Sequence, residues 1–302
     1  MGKFKNSILH NIMNKIGLLT LSFCHLFLAS HAIAANMGKM QVNDINMYYE
    51  LHGKSSNNPI ILIAGFACDH TFWAGILKQL TENHEVLIFD NRGIGQTDSP
   101  DSSYSIEMMA DDVMALSKKL GLKKPIIIGQ SMGSAIAQNI GKRYANQVKK
   151  IVLINTFEYL TKAPGMAFEL TGELQRLNLP LTYRVQSIVP WVFSSEFLSQ
   201  PNQLANLVKL AQDNPYPQSL IGYERQLGAL KAFNSRPWLH EIKASTLIIS
   251  GEEDIIAPLA GSNEVQRGIG SNTKIVIVPG GHASPIEQPD KVVGAILNFI
   301  GS

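Results

Sequence analysis

From residue 40 onward the chain alternates short β-branched apolar runs with longer segments whose apolar residues recur every three or four positions. The runs are "PIILIAG" (59–65), "EVLIFD" (85–90), "KPIIIG" (124–129), "KKIVLIN" (149–155), "STLIISG" (245–251) and "TKIVIVPG" (273–280). Each is too short for a helix, is bounded by turn residues, and lacks the in–out alternation of a half-exposed strand, so each predicts a buried parallel strand. Between and after them, 71–82, 105–121, 132–145 and 290–301 carry helical spacing, the second marked by Ser105 ahead of Glu107 and by Gly121 past its last lysines. Ahead of all this, "MQVNDINMYYELHG" predicts a hairpin turning near Asn43-Asp44. Strand and helix in alternation imply an α/β fold, a mostly parallel central sheet with helices on both faces.

The alternation lapses between Thr156 and Lys243. No convincing strand occurs there, and Pro164, Pro180, Pro190, Pro201, Pro215, Pro217 and Pro237 break the stretch into short helical pieces such as "MAFELTGELQRL" and "SLIGYERQLGALKAF". This predicts a helical lid inserted in the sheet. The expected organisation is a first part of the core over 35–155, the lid over 156–243 and the rest of the core over 244–302.

The first 34 residues follow a different rule. Lys3, Lys5 and Lys15 precede an apolar segment from Ile16 to Ala29, and Ala32-Ile33-Ala34 follows, the order of a secretory signal cleaved before Ala35. An uncleaved anchor is the alternative, but the segment falls short of the about 18 apolar residues that a span prefers, and His25 interrupts it. Removing residues 1–34 takes away three lysines and no acid, so the formal charge goes from +2 to −1. The composition therefore gives no reason to expect a nucleic-acid partner. Only Cys68 remains in the mature chain, so no intramolecular disulfide is expected. The expected location is periplasmic or secreted, with no membrane span after cleavage. Composition does not fix the oligomeric state.

Candidate chemistry begins at "GQSMG", residues 129–133. A Gly-x-Ser-x-Gly match arises by chance in a chain of this length with probability about 0.1. Its setting carries more weight, since a strand precedes it and a helix follows, as a nucleophile elbow requires. Ser131 would then stand at the carboxyl edge of the sheet, at the electropositive start of a helix. A serine needs a base. His52, His84 and His240 are badly placed, whereas His282 in "VPGGHASPIEQP" leaves the carboxyl end of a predicted strand, where sites in open α/β sheets collect. Asp254 in "IISGEEDIIAP" leaves the preceding strand in the same way and suits the acid that orients a histidine. Glu252 and Glu253 are its neighbours, and Glu158 is the alternate acid. The backbone N–H groups of Met132 and Phe66 are the expected oxyanion donors. Cys68 has no evident activating partner and reads as a buried bystander.

In order along the chain, "LIAGFACDHTFW", "FDNRGIGQTDSP", "IIIGQSMGSAIAQ", "IISGEEDIIAP" and "VPGGHASPIEQP" resemble the α/β-hydrolase superfamily, across about residues 40–300. The nearest likeness is to the group of enol-lactone hydrolases, non-haem perhydrolases and small carboxylesterases. That likeness implies Ser131, Asp254 and His282 as the triad and no cofactor or metal. One departure is Ala64-Gly65 where many relatives have His-Gly, a histidine that supports the oxyanion loop. The family's D-x-R-G-x-G element falls on Asp90, Arg92, Gly93 and Gly95 and reads as a structural turn. A serine at the elbow, in place of aspartate, speaks against dehalogenases and epoxide hydrolases. The expected function is that of an exported serine hydrolase acting on an apolar acyl ester, lactone or thioester. Perhydrolysis, carbon–carbon cleavage on the same triad, and a non-catalytic receptor are the rivals. Phe157, Met166, Trp191, Phe193 and Trp238 are apolar residues that either line an acyl pocket or belong to the core.

Overall fold

The computed structural model describes residues 36–301, and the expected signal segment lies outside the described residues. Strands β1 (Asn36–Val42) and β2 (Ile45–His52) form the hairpin, with Asn43 at φ 48° in its turn, a conformation asparagine tolerates well. β3 (Ile60–Ile63), β4 (Val86–Phe89), β5 (Ile126–Gln130), β6 (Lys150–Ile154), β7 (Ser245–Gly251) and β8 (Thr273–Val278) follow. Together they make an eight-stranded sheet of order β1-β2-β4-β3-β5-β6-β7-β8, parallel except for the pairings of β1 with β2 and β2 with β4.

Helices α1 (Ala74–Thr81), α2 (Ile106–Lys119) and α3 (Met132–Arg143) alternate with the first parallel strands. Between β6 and β7 come α4 (Lys162–Arg176), α5 (Leu181–Val192), α6 (Ser195–Ser199), α7 (Gln203–Asp213) and α8 (Leu220–Ala232). α9 (Leu259–Ile269) joins β7 to β8, and α10 (Ser284–Glu287) and α11 (Pro289–Ile300) end the described chain.

The continuous apolar strands β3 to β7 are explained by burial on both faces, whereas β8, also expected to be buried, is the edge strand of the sheet and leaves Val276 and Ile277 exposed. On β3, Ile61 and Ile63 join a core with Val113 of α2 and Ile136 of α3, while Ile60 and Leu62 join a second core with Leu80 of α1 and Ile296 of α11. Helix ends follow the expected chemistry at α2, where Ser105 Oγ accepts from Met108 N at 3.1 Å.

Two further features depart from the sequence reading. Helix α9 was not foreseen, because its buried residues are Ser262, Val265 and Ile269 and its first turn holds Ala260 and Gly261, so the apolar stripe is faint. Pro164 and Pro190 lie inside α4 and α5 instead of dividing helices. Pro164 occupies a first turn, where an N–H has no helical acceptor, and Pro190 the last turn of a helix that still closes with Phe193 N donating to Val189 O at 3.1 Å.

The stretch from α4 to α8 forms a cap over the carboxyl edge of the sheet. Its two ends are joined by an antiparallel bridge between Tyr159 and Asn234 and by Ser235 N donating to Glu158 O at 2.8 Å. Among the described residues, no helix is long and apolar enough to cross a membrane.

Candidate active site

β5 ends at Gln130 and α3 begins at Met132, so Ser131 alone makes the turn, at φ 54° and ψ −119°. A non-glycine residue holds that conformation only where its surroundings enforce it. They do so here by close approach. A Cβ at Gly129 would lie 2.1 Å from Gly133 O, and one at Gly133 would lie 2.0 Å from Ile63 O, so backbone meets backbone on both sides of the serine.

His282 lies in the loop after β8, with Nε2 2.7 Å from Ser131 Oγ and Nδ1 2.8 Å from Asp254 Oδ2. A carboxylate can only accept, so Nδ1 carries the proton and Nε2 accepts from the serine hydroxyl. Asp254, four residues before the α9 helix cap at Pro258, also accepts from Ile256 N (2.9 Å) and Ala257 N (2.8 Å) on Oδ1 and from Asn155 Nδ2 (2.7 Å) on Oδ2. Glu158 is engaged elsewhere, in an ion pair with Arg236 at 2.8 Å.

Sequence reasoning missed the groups that hold this line. Asn155, at φ 50° after β6, is fixed by Ser284 Oγ donating to its Oδ1 at 2.6 Å, which turns its amide nitrogen toward Asp254. Gln130 Nε2 donates to His282 O at 2.8 Å. Glu287 accepts from Gly281 N at 2.9 Å and from the Ser194 hydroxyl, and Ala283 N donates to Val192 O at 3.1 Å, so the histidine loop is fastened to the cap. Only the buried polar residue type was a signal, because the partners are up to 152 positions apart.

Among the described residues, neither Phe66 N–H nor Met132 N–H has an acceptor. The loop of Phe66 is held in several places. Asn91 Nδ2 donates to Ala64 O (3.3 Å). Ala67, at φ 57°, donates its N–H to Gln226 Oε1 (3.3 Å), and Gln226 Nε2 in turn donates to Arg92 O (2.8 Å). His70 meets Asp90 Oδ1 through both its N–H (2.8 Å) and Nδ1 (2.7 Å). Asp90 also accepts from Gln96 N at 2.8 Å, and Gly95 at φ 60° passes so close that a Cβ would lie 2.2 Å from Asp90 Oδ2. The D-x-R-G-x-G element is thus a clamp on the loop, with Arg92 buried against Asp112 (2.6 Å) and Asp44 (2.8 Å).

Burial opposes the charged form of His70, but Asp90 with Glu50 and Asp69 outweighs it, and the imidazole titrates above its ordinary range. Asp69, His70 and Asp90 present ligand atoms within 4.8 Å of one another. Those atoms already serve the loop, since Asp69 caps Thr71 N (2.9 Å) and accepts from Asn214 (2.8 Å). Cys68, expected to be a buried bystander, is half-buried and lines the cavity beside Ser131, and desolvation pushes its thiol up to about 12.

Ser131 and His282 open on a cavity of about 260 Å³ walled by Phe66, Phe72, Phe168, Ile188, Val192 and Tyr223. Among the described residues, no Asp, Glu, Lys or Arg side chain lines it. Of the apolar residues named from sequence, Phe193 lines the cavity. Phe157 and Trp238 instead pack on Phe233, Trp191 packs on the core, and Met166 is exposed.

With a strained elbow serine, a histidine line to a buried acid and a cap over the sheet edge in place, comparison with known proteins gives the class. The chain belongs to the alpha/beta hydrolase fold family, whose model matches residues 58–289. It is 25% identical over 263 residues, 84% of this chain and 97% of the other, to a Rhizobium rhizogenes protein named carbamate hydrolase RutD. Two solved structures share the fold. One is the enol-lactonase from Burkholderia xenovorans LB400, with TM-score 0.79, 24% identity, and coverage of 88% of this chain and 100% of that one. The other is a thermophilic esterase from Thermogutta terrifontis, with TM-score 0.75, 22% identity, and coverage of 88% and 98%. The protein is a hydrolase of the α/β family.

Proposed function

We propose that the protein is a serine hydrolase that cleaves carboxylic esters, lactones or thioesters with an apolar acyl part, through an acyl-enzyme on Ser131. The observation that carries this reading is the hydrogen-bonded line Ser131–His282–Asp254, ending at the mouth of an uncharged apolar cavity. Ser131 Oγ attacks the carbonyl carbon as its proton passes to His282 Nε2, and the imidazolium is stabilised by Asp254. The oxyanion that forms is met by the N–H groups of Phe66 and Met132, at the start of α3. Collapse expels the alcohol or thiol with the proton from Nε2, and water then repeats the sequence on the acyl-enzyme to release the acid. Carbamate cleavage, the activity in the name of the RutD relatives, is attack on the same kind of carbonyl. The lining here favours a hydrocarbon neighbour to that carbon over a charged one.

A fluorophosphonate probe tests the reading. Wild-type protein labels at Ser131 and Ser131→Ala does not; folded wild-type protein that stays unlabelled overturns it. The same proposal includes export, supported by the charged, apolar and small-residue order of residues 1–34. N-terminal sequencing of protein from the secreting host should begin at Ala35, and recovery of the full chain from the cytosol would count against export.

A further inference from the structure

The cavity above Ser131, at about 260 Å³, is smaller than the roughly 300–1,000 Å³ that encloses a drug-sized ligand. A second hollow of about 590 Å³ lies open on the cap, lined by Leu174, Leu179, Tyr183, Gln186 and Ser187. The two share a wall. Thr171 of α4 and Ile188 of α5 line the inner cavity, whereas Leu174, one turn further along α4, and Ser187, the residue before Ile188, line the outer hollow. The partition is one pair of small side chains thick, Thr171 Oγ1 and Ser187 Oγ meeting at 3.1 Å.

That contact is not an obligatory bond. Each hydroxyl has one proton, and each has a carbonyl of its own helix in reach: Ala167 O at 3.0 Å from Thr171 and Arg184 O at 2.8 Å from Ser187. With both protons so placed, none is left for the contact across the seam, and parting it strands no donor. Packing on α5 is concentrated past the seam, where Val189 is buried and Ile188, Trp191 and Val192 are partly buried against the core, while Arg184 and Ser187 are half-buried. The exposed lining of the outer hollow is Leu179 and Tyr183, 38% and 55% accessible, together with the uncharged Gln186.

The geometry points to an acyl-chain groove that runs from the cavity, between Thr171 and Ser187, onto Leu174, Leu179 and Tyr183. Its ligand is the distal part of an unbranched, uncharged fatty acyl chain too long for the inner cavity. This rests on the acyl-enzyme reading above, and its argument is the shared wall between the catalytic cavity and the groove. Each methylene that leaves water for the groove is worth about fourfold in binding.

The test compares p-nitrophenyl butyrate with p-nitrophenyl laurate, below the micelle concentration and without detergent. Wild-type protein turns over both. Ser187→Phe plugs the seam, and Tyr183→Glu puts a charge into the groove at an exposed position that no core packing depends on. Each should lower laurate kcat/KM by about tenfold or more, the worth of roughly two buried methylenes, and leave butyrate within about twofold. A laurate-to-butyrate ratio unchanged in both variants overturns the groove, as does wild-type protein that cleaves butyrate but not laurate. Wild-type protein that cleaves neither ester fails at the hydrolase reading itself, and the groove falls with it.

Discussion

At the carboxyl edge of the sheet, Ser131, Asp254 and His282 are 5%, 4% and 5% exposed; β5 and β7, which lead to Ser131 and Asp254, are buried along almost their whole length, whereas β8, which leads to His282, is an edge strand. In the cap, α5 buries Val189 and α7 buries no residue, while Leu177 and Leu210 stand 66% and 62% exposed. The two regions meet at one cavity but answer different demands. Proton transfer needs atoms held to a few tenths of an ångström, which packed strands and buried hydrogen bonds supply. Admitting and gripping an apolar chain needs a wall that can yield, and in the cap α4 and α8 bury six residues each, so the sparsely buried α5 and α7 are the helices that move at lower cost.

The largest effect expected from the edge is on rate. Asp254→Asn should lower kcat by about 10⁴-fold by favouring the wrong imidazole tautomer, while Glu158→Gln, whose carboxylate faces Arg236, should leave it within about threefold. Steady-state kinetics on a short ester decides between them, and the reverse order would move the acid to Glu158. Stability separates the regions next. Gly133→Ala forces a Cβ to within 2.0 Å of Ile63 O and should cost about 3 kcal/mol or more, whereas Leu210→Ser on the cap should change stability by no more than about 0.5 kcal/mol. Denaturant unfolding of both variants measures the contrast, and equal costs would erase it.

The smallest effect lies at the loop between the two regions. The folded-state pKa of His70 is raised, so its pairing with Asp90 contributes fully below its unfolded value of about 6.5 and is lost as pH rises through the folded value. Unfolding midpoints measured from pH 5 to 9 should therefore fall less steeply with rising pH in His70→Gln than in the wild type. Parallel profiles would show that the clamp does not depend on that charge.

The strands were legible because a buried parallel strand writes its burial into consecutive residues, as Ile126-Ile127-Ile128 does. The elbow was legible because two glycines and a serine must be neighbours in sequence to make it. His282 and Asp254 could be picked out because each follows a strand end by a few residues. The supporting groups were not. Asn155, Gln226 and Glu287 are ordinary loop or helix residues until folding brings Asp254, Ala67 and Gly281 beside them. His70 was overlooked for the same reason, its meaning lying in Asp90, 20 positions away. The cap was legible only as a lapse in strand pattern, since helix residues that face a cavity and those that face a core share one periodicity.

The bridge of Tyr159 with Asn234 joins the two ends of the cap just beyond β6, and β7, where the chain re-enters, is the direct neighbour of β6 in the sheet. The whole stretch therefore leaves and re-enters the sheet through a two-stranded stem, and it is tied to the core again where Ser194 meets Glu287, Val192 meets Ala283 and Gln226 meets Ala67. Recombination that exchanges what lies between those two points alters neither the order of the strands nor the register in which Ile154 meets Ile249. A replacement cap would thus keep Ser131, Asp254 and His282 on their strands, but it would have to supply again the contacts of Gln226 with the loop of Phe66 and of Ser194 and Val192 with the loop of His282.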